Sequence, residues 1–432
     1  MKRLFLGGLL CLLPFLTQAQ EAEASINSGD TAWMLMATAL VALMTPAGLT
    51  LFYGGLTTRK SVLNTIGMSY VSFCIASIVW MLVGYSFAFG TANPFIGGFD
   101  LALLQGILPS DVRGTIPTLL FVVFQGTFAA IAVAIVSGSI IERVKFSTWL
   151  IFSALWVALV YSPIAHWVWG GGFLSQSGEL DFAGGTVIHI NAGISGLALA
   201  LFLGKRRYFG SQTSKPASLK LMILGSALLW FGWFGFNGGS QLAADGIAAN
   251  ALLVTNLAAC AGGITWMLIE WTRHDKKPTL LGSASGVVSG LVAITPAAGF
   301  VDASGSLIIG ILGALVGYVG VVRIKAILGY DDTLDAFGIH GLVGAAGAIL
   351  TGFFANPAIN EIGTGALFGN WLQLWTQTKV VLVTIVYSAV VSIVLFKITT
   401  LITRGGRVHE DLEEVGMDEG YHGEASFNLN DE

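Results

Sequence analysis

Two histidines stand where charge is expensive. His189 lies in an apolar run that begins at Gly184 and ends near Gly204, and His340 lies in a second run from Asp335 to Ala355. Ionisable side chains inside membrane-length apolar segments are rare and mark ion or proton pathways. An imidazole offers one donor and one acceptor nitrogen and titrates near neutrality. Two of them, brought together, can shape a polar conduit or pass a proton.

Their surroundings match. Gly193 and Gly196 follow His189, and Gly344 and Gly347 follow His340, so both read H-x-x-x-G-x-x-G. Those offsets fall on one helix face. Small residues there let two membrane helices approach closely, which predicts that the histidines meet at a tight crossing. Asp181 precedes the first run and Asp335 opens the second. Either fits a helix N-cap, and Asp181 at a pore mouth also favours a cation. At 1.5 Å per residue, His189 lies about 12 Å beyond Asp181 and His340 about 8 Å beyond Asp335. Entering from opposite faces of a core about 30 Å thick, both reach its central region.

The elements that position them are membrane spans. Of 432 residues, 54% are hydrophobic and only 11% charged, about half the charge of a soluble domain. The surface therefore faces a lipid bilayer, and the fold class is an all-α membrane protein. Eleven apolar runs follow the N-terminus: 31–55, 61–90, 115–141, 147–169, 184–204, 217–239, 246–271, 280–299, 306–322, 335–355 and 378–401. Loops after odd-numbered runs carry Arg59 and Lys60, Arg143 and Lys145, Lys205 to Arg207 with Lys215, Arg273 with Lys276 and Lys277, and Arg323 with Lys325. Positive loops stay in the cytoplasm, which predicts N-out/C-in. Arg113 and Lys379 are the exceptions. Residues 1–19 have the basic start, short apolar stretch and small residues of a cleavable signal peptide. Residues 20–403 would be the transmembrane domain and 404–432 a cytoplasmic tail, either disordered or docked on its own face. Cys11, Cys74 and Cys260 give neither a disulfide framework nor metal spacing. No cofactor is called for. A net charge of -4 with an acidic tail argues against nucleic acid.

An inverted repeat accounts for the two histidines. Run 1 ends Phe52-Tyr53-Gly54-Gly55 and run 6 ends Phe236-Asn237-Gly238-Gly239. Residues 31–204 and 217–355 then form two five-helix units of opposite orientation, followed by an eleventh helix at 378–401. Transporters built this way bind their substrate near the midplane, at the repeat interface. Aromatic side chains gather in runs 3, 4 and 6: Phe124, Phe128, Trp167, Trp169, Trp230, Trp233 and Phe236, with Ser240 at the end of run 6. Packing and interfacial anchoring account for many such residues. Ring faces with a hydroxyl also suit a small monovalent cation.

The Asp181–His189 stretch, the Trp230–Asn237 stretch, Asp335–Gly341 and His422-Gly423-Glu424 in the tail resemble the Amt branch of the Amt/Rh ammonium transporters. The likeness runs from the first span into the tail. It implies eleven helices with an inverted repeat, assembled as a homotrimer with one pore per subunit in the bacterial inner membrane. It implies that Phe128, Trp169 and Ser240 form an outer ammonium site, that Phe128 and Phe236 stack as a gate, and that His189 and His340 are the twin pore histidines. Asp181 would be the acidic residue by the recruitment site, and Trp233 would line the pore. Trp167 departs from the smaller aliphatic residue expected two positions before Trp169, which would reshape the mouth. The resemblance also implies a PII-type signalling partner at the cytoplasmic face, and methylammonium as a substrate analogue.

The expected function is ammonium transport without enzymatic chemistry. Ammonium is recruited and deprotonated, ammonia crosses the lumen, and the histidines relay the proton. Three alternatives stand beside it. A sensor or transceptor of the same family would carry a long signalling domain where this chain has 404–432. An Rh-type gas channel would not need Trp169 and Ser240. An intramembrane serine protease would use Ser195 in Gly193-Ile194-Ser195-Gly196, a short motif whose glycines recur at Gly344 and Gly347 without a serine.

Overall fold

The computed structural model describes residues 25–210, 215–273 and 276–427. The proposed signal segment 1–19 lies outside them. Among the described residues, ten helices are long and apolar enough to cross a membrane: α1 (Ser28–Leu56), α2 (Val62–Phe89), α3 (Thr118–Ser137), α4 (Phe146–Trp169), α5 (Gly185–Leu203), α6 (Leu219–Gly239), α7 (Gly246–Arg273), α9 (Ala303–Leu328), α10 (Phe337–Phe354) and α11 (Trp371–Ile402). Between α7 and α9 runs a shorter apolar helix, α8 (Leu280–Ile294). The runs predicted from sequence agree with these to within a few residues, except that α9 runs past its expected end and α11 starts earlier.

Polar caps set where helices start. Asn27 accepts from Gly29 and Asp30 at the head of α1, and Thr279 and Asp302 do the same for α8 and α9. Such caps satisfy N–H groups that a helix leaves unpaired. Burial then sorts the bundle. Helices α3 and α5 are the most enclosed, whereas α2 and α11 turn Ile78, Met81, Leu372, Val386 and Val390 outward. So much apolar surface would be a liability in water and is the normal face toward lipid.

Helices α5 and α10 cross where the glycine pattern puts them. A side chain at Gly193 would strike the backbone of Gly341, and one at Gly344 would press on His189 and the Gly185 carbonyl. Gly196 and Gly347 serve other contacts, against Ser139 and Ala293. Both helices begin with a wide π turn, Gly185–Ile190 and Phe337–Leu342, each holding its histidine. Such turns are uncommon and gather at functional sites.

The tail through Phe427 docks on the bundle. Arg407 pairs with Glu413 at 2.6 Å and donates to the Leu203 carbonyl at 3.1 Å. Lys145 reaches the Arg404 carbonyl at 3.1 Å. Asp418 caps α2 from outside the helix, accepting from Leu63 at 3.0 Å and Asn64 at 2.8 Å. His422 meets the Asn64 amide at 2.8 Å and the Phe146 ring edge-on. Docking, rather than a solvated tail, describes this segment.

Candidate functional site

The two histidines meet. Their rings stack with centroids 5.3 Å apart and 25° between planes, and their Nδ1 atoms are 3.2 Å apart. A contact that short between ring nitrogens needs one N–H donor and one bare acceptor. One ring is therefore protonated at Nδ1 and the other at Nε2. Charging both would set two donors against each other. His189 Nε2 is buried without a partner among the described residues. Exchanging the tautomers would shift a proton from one end of the pair to the other.

An aromatic stack leads to this pair. Trp233 lies over His189 at 5.5 Å and 23°, and Phe236 at 6.1 Å and 22°. The Trp233 indole is held by the Thr295 hydroxyl at 2.9 Å, which fixes its ring plane. Above, Phe128 closes edge-on against Phe236 at 4.4 Å, with Phe124 behind it at 4.7 Å. Trp169 stands 6.1 Å from Phe128 and is only half-buried, as is Ser240. Ser240 Oγ donates to the Phe236 carbonyl at 2.8 Å, leaving its lone pairs free. Of the predicted site residues, Phe128, Trp169, Phe236, Trp233, His189 and His340 thus form one continuous line of rings, with the Ser240 hydroxyl tied to the Phe236 backbone. Trp167 does not join it. Its ring packs on Tyr387 and Phe173, and its indole donates to Phe95.

Asp181 anchors the start of α5. Its Oδ1 accepts from Gly184 at 2.8 Å and Gly185 at 2.7 Å, and its Oδ2 from Thr186 at 2.8 Å and Val187 at 3.2 Å. Gly184, at φ 110°, makes the left-handed turn that lets four N–H groups converge. The Asp181 carbonyl takes the Trp169 indole at 2.9 Å, tying the mouth's tryptophan to the helix that carries His189. The cap reading is met. The carboxylate is saturated by backbone donors, so any attraction for a cation acts through its field.

Asp335 is not the counterpart of Asp181. Its backbone sits at φ 60°, and its carboxylate pairs with Lys325 at 2.6 Å. The cap of α10 is Asp332, whose Oδ2 accepts from Phe337 at 2.8 Å. Its place relative to His340 is that of Asp181 relative to His189. Beside it lies an ionic cluster that spacing alone does not reveal. Arg206 holds Glu142 at 2.6 Å and Asp331 at 2.8 Å, and buried Arg143 donates to Thr333 at 2.7 Å. Although burial alone would raise both acids, Arg206 holds Glu142 and Asp331 below the usual carboxylate range. Burial brings Arg143 down to about 10.

A model of the ammonium transporter family matches residues 32–427. The chain belongs to this family. It is 48% identical over 428 residues to an ammonium transporter of Aquifex aeolicus, covering 98% of this chain and 99% of that one. It is 49% identical over 405 residues to one of Bacillus subtilis, covering 93% and 99%. Among solved structures it resembles Candida albicans Mep2, with TM-score 0.84, 35% identity, and 89% and 87% covered. It also resembles a protein described as a sensor Amt protein, with TM-score 0.85, 28% identity, and 91% and 98% covered. The protein is a multi-pass membrane transporter for ammonium and not an enzyme. Ser195, the protease candidate, is buried between Trp156 and Ser392, bonded to both at 3.0 Å and 2.9 Å. It is a knot between helices, and its bonds go to a tryptophan and a serine.

Four contributors were missed in the sequence. Thr295 sits in a turn after α8, and nothing nearby in sequence ties it to Trp233. Gln373 and Gln377 on α11 fasten the link before Asp181. Asp332 had the right offset from its histidine, and the neighbouring Asp335 obscured it.

Proposed function

We propose that Phe128, Trp169 and Ser240 capture ammonium at an outer mouth, that Phe128 and Phe236 gate it, and that the ion loses its proton there. Ammonia then passes Trp233 and the pair His189–His340. The observation that carries this reading is the unbroken line of rings from half-buried Trp169 to the stacked imidazoles.

Energetics choose the cargo's form. Bringing a bare ion into a low-dielectric core costs on the order of 20 kcal/mol in the ideal limit. Each cation–π contact returns about 0.5–2 kcal/mol. Rings and one hydroxyl select a cation at the mouth and do not carry it through a dry constriction. Losing the proton removes the cost. The histidine pair, neutral and sharing one Nδ1–H···Nδ1 contact, offers the proton a separate path. Potassium has no proton to lose and is rejected. Asp181 supports the mouth by fixing Trp169 and by its negative field.

The loop charges support an N-out/C-in chain, with α8 crossing as the eleventh span, α1–α5 and α6–α10 as inverted units, and the docked tail in the cytoplasm of a bacterium with its transporter in the inner membrane. Residues 1–19 would be removed. The homotrimer and the PII-type partner at the tail face rest on family membership. The test is current recording and methylammonium uptake on His189→Ala/His340→Ala, with potassium present. Loss of ammonium current or gain of potassium conduction is expected. Unchanged ammonium current without potassium conduction would overturn the relay.

A further inference from the structure

Glu179 stands two residues before Asp181, and the transport path leaves it unused. Both its carboxyl oxygens are buried without a hydrogen-bond partner among the described residues. The chain on either side cannot easily swing it out. Gln373 donates to the Gly178 carbonyl at 2.9 Å, while Gln377 grips Leu180 at both its N–H (2.9 Å) and its carbonyl (2.7 Å).

The charged group acting on Glu179 is Asp181. From α11 this segment meets the neutral amides of Gln373 and Gln377. From α4, Trp169 binds the Asp181 carbonyl, and the buried Tyr161 hydroxyl, also unpartnered, lies within the field of Asp181. Burial pushes the Asp181 carboxyl up as well, but the four N–H groups around it favour its charged form and oppose that shift. Glu179 has no such donors, and a buried carboxylate without donors or a counter-ion takes up a proton instead. Burial first, and the Asp181 charge second, push its carboxyl well above the usual range.

We propose that Glu179 is a proton-carrying acid that sets how strongly the mouth captures its monovalent ammonium-type cation. In acid it is neutral, and the mouth feels Asp181 alone. In alkaline medium its O–H bond breaks, the proton leaves to bulk water, and a second negative charge remains two residues before Asp181, whose carbonyl holds the Trp169 indole. Capture then strengthens without any change in the chemistry at the histidines. This specificity element rests on the reading of Phe128, Trp169 and Ser240 as the capture site.

The test is the apparent KM for methylammonium uptake by the full chain in vesicles, from about pH 5 to about pH 9, a range that spans buried carboxyls raised well above their ordinary value and in which methylammonium stays protonated. The wild type should show KM falling roughly threefold or more as pH rises, the scale of one added charge near a binding site. Glu179→Gln should hold KM near the acid value throughout. Glu179→Asp should retain the fall at a displaced pH, and it covers the case in which the glutamine variant does not assemble. Changes in kcat from the histidines should be common to all forms. An identical KM profile in wild type and Glu179→Gln would overturn the proposal. Trp169→Leu separates the two readings: if it leaves KM unchanged at every pH, the capture site itself is misplaced.

Discussion

Asp181 and Asp332 each stand eight residues ahead of a pore histidine, yet their surroundings differ. Asp181 takes four backbone N–H groups, and its carbonyl takes the Trp169 indole. Asp332 takes one, from Phe337, and its other oxygen has no partner among the described residues. Around Asp332 the rings of Tyr330 and Phe337 are joined by ions: Arg143, Asp331, Arg206, and Lys325 with Asp335. In the proposed reading, the same cap serves a recognition surface at one mouth and a fastening for loops and tail at the other. Rings attract a cation without committing a counter-charge. Ion pairs lock segments together and have little attraction to spare.

That contrast can be broken at its strongest point first. Asp181→Ala should strand four buried N–H groups. At about 1–3 kcal/mol for each unsatisfied group, even partial repair by water leaves a loss of about 3 kcal/mol or more, together with loss of uptake as Trp169 comes free. Thermal unfolding in detergent measures it. A variant as stable as the wild type would mean that the cap is ornamental.

Arg206→Ala tests the other mouth. Removing one partner of a buried ion pair costs about 3–5 kcal/mol, and the Arg206 side chain is 19% exposed, which argues for the lower end. Glu142 and Asp331 would be left facing each other, so the tail should become protease-sensitive at 404–427. Tail cleavage no faster than in the wild type would remove the fastening role. Asp332→Ala frees a single N–H and should cost about 1–2 kcal/mol. A loss equal to that of Asp181→Ala would erase the asymmetry between the mouths.

Acid sharpens the same point. Glu142 and Asp331 are held below their ordinary value, near 4. Their contribution is complete above that value and is lost as pH falls through their lowered folded-state values. Tail docking, read by proteolysis of the purified protein, should be level from about pH 7 to about pH 5 and weaken only below about pH 4. Weakening already near pH 6 would show that these carboxylates do not set tail docking.

Much of this was legible beforehand because membranes write in long, periodic runs. The helices, the glycine pattern of α5 and α10, and the meeting of His189 with His340 all follow from spacing along one helix face. The sequence points to Asp335 as the cap and passes over Asp332, because a cap is set by backbone geometry. Asp335, closer to the helix, is turned away by its left-handed backbone and held by Lys325. The ionic cluster was out of reach for another reason. Glu142, Arg206 and Asp331 come from three loops far apart in sequence, and only the folded bundle gathers them.

Ser240 is where the smallest structural effect should accompany a distinct functional one. Its hydroxyl donates to the carbonyl of buried Phe236 one turn back, at the end of α6. Ser240→Ala should therefore cost about 1 kcal/mol or less, the net worth of one hydrogen bond. Its oxygen, however, is the acceptor tied to the end of the ring stack, and rings alone cannot accept an N–H bond along a lone pair. Removing it should raise the apparent KM for methylammonium several-fold while leaving kcat nearly constant, the pattern of lost ground-state binding. Equal falls in kcat and kcat/KM would instead place Ser240 in the deprotonation step and move chemistry up into the mouth. The tail-side mouth supplies the control. Thr333→Val removes a hydroxyl of similar reach from among the ions, and it should cost stability without a selective change in KM.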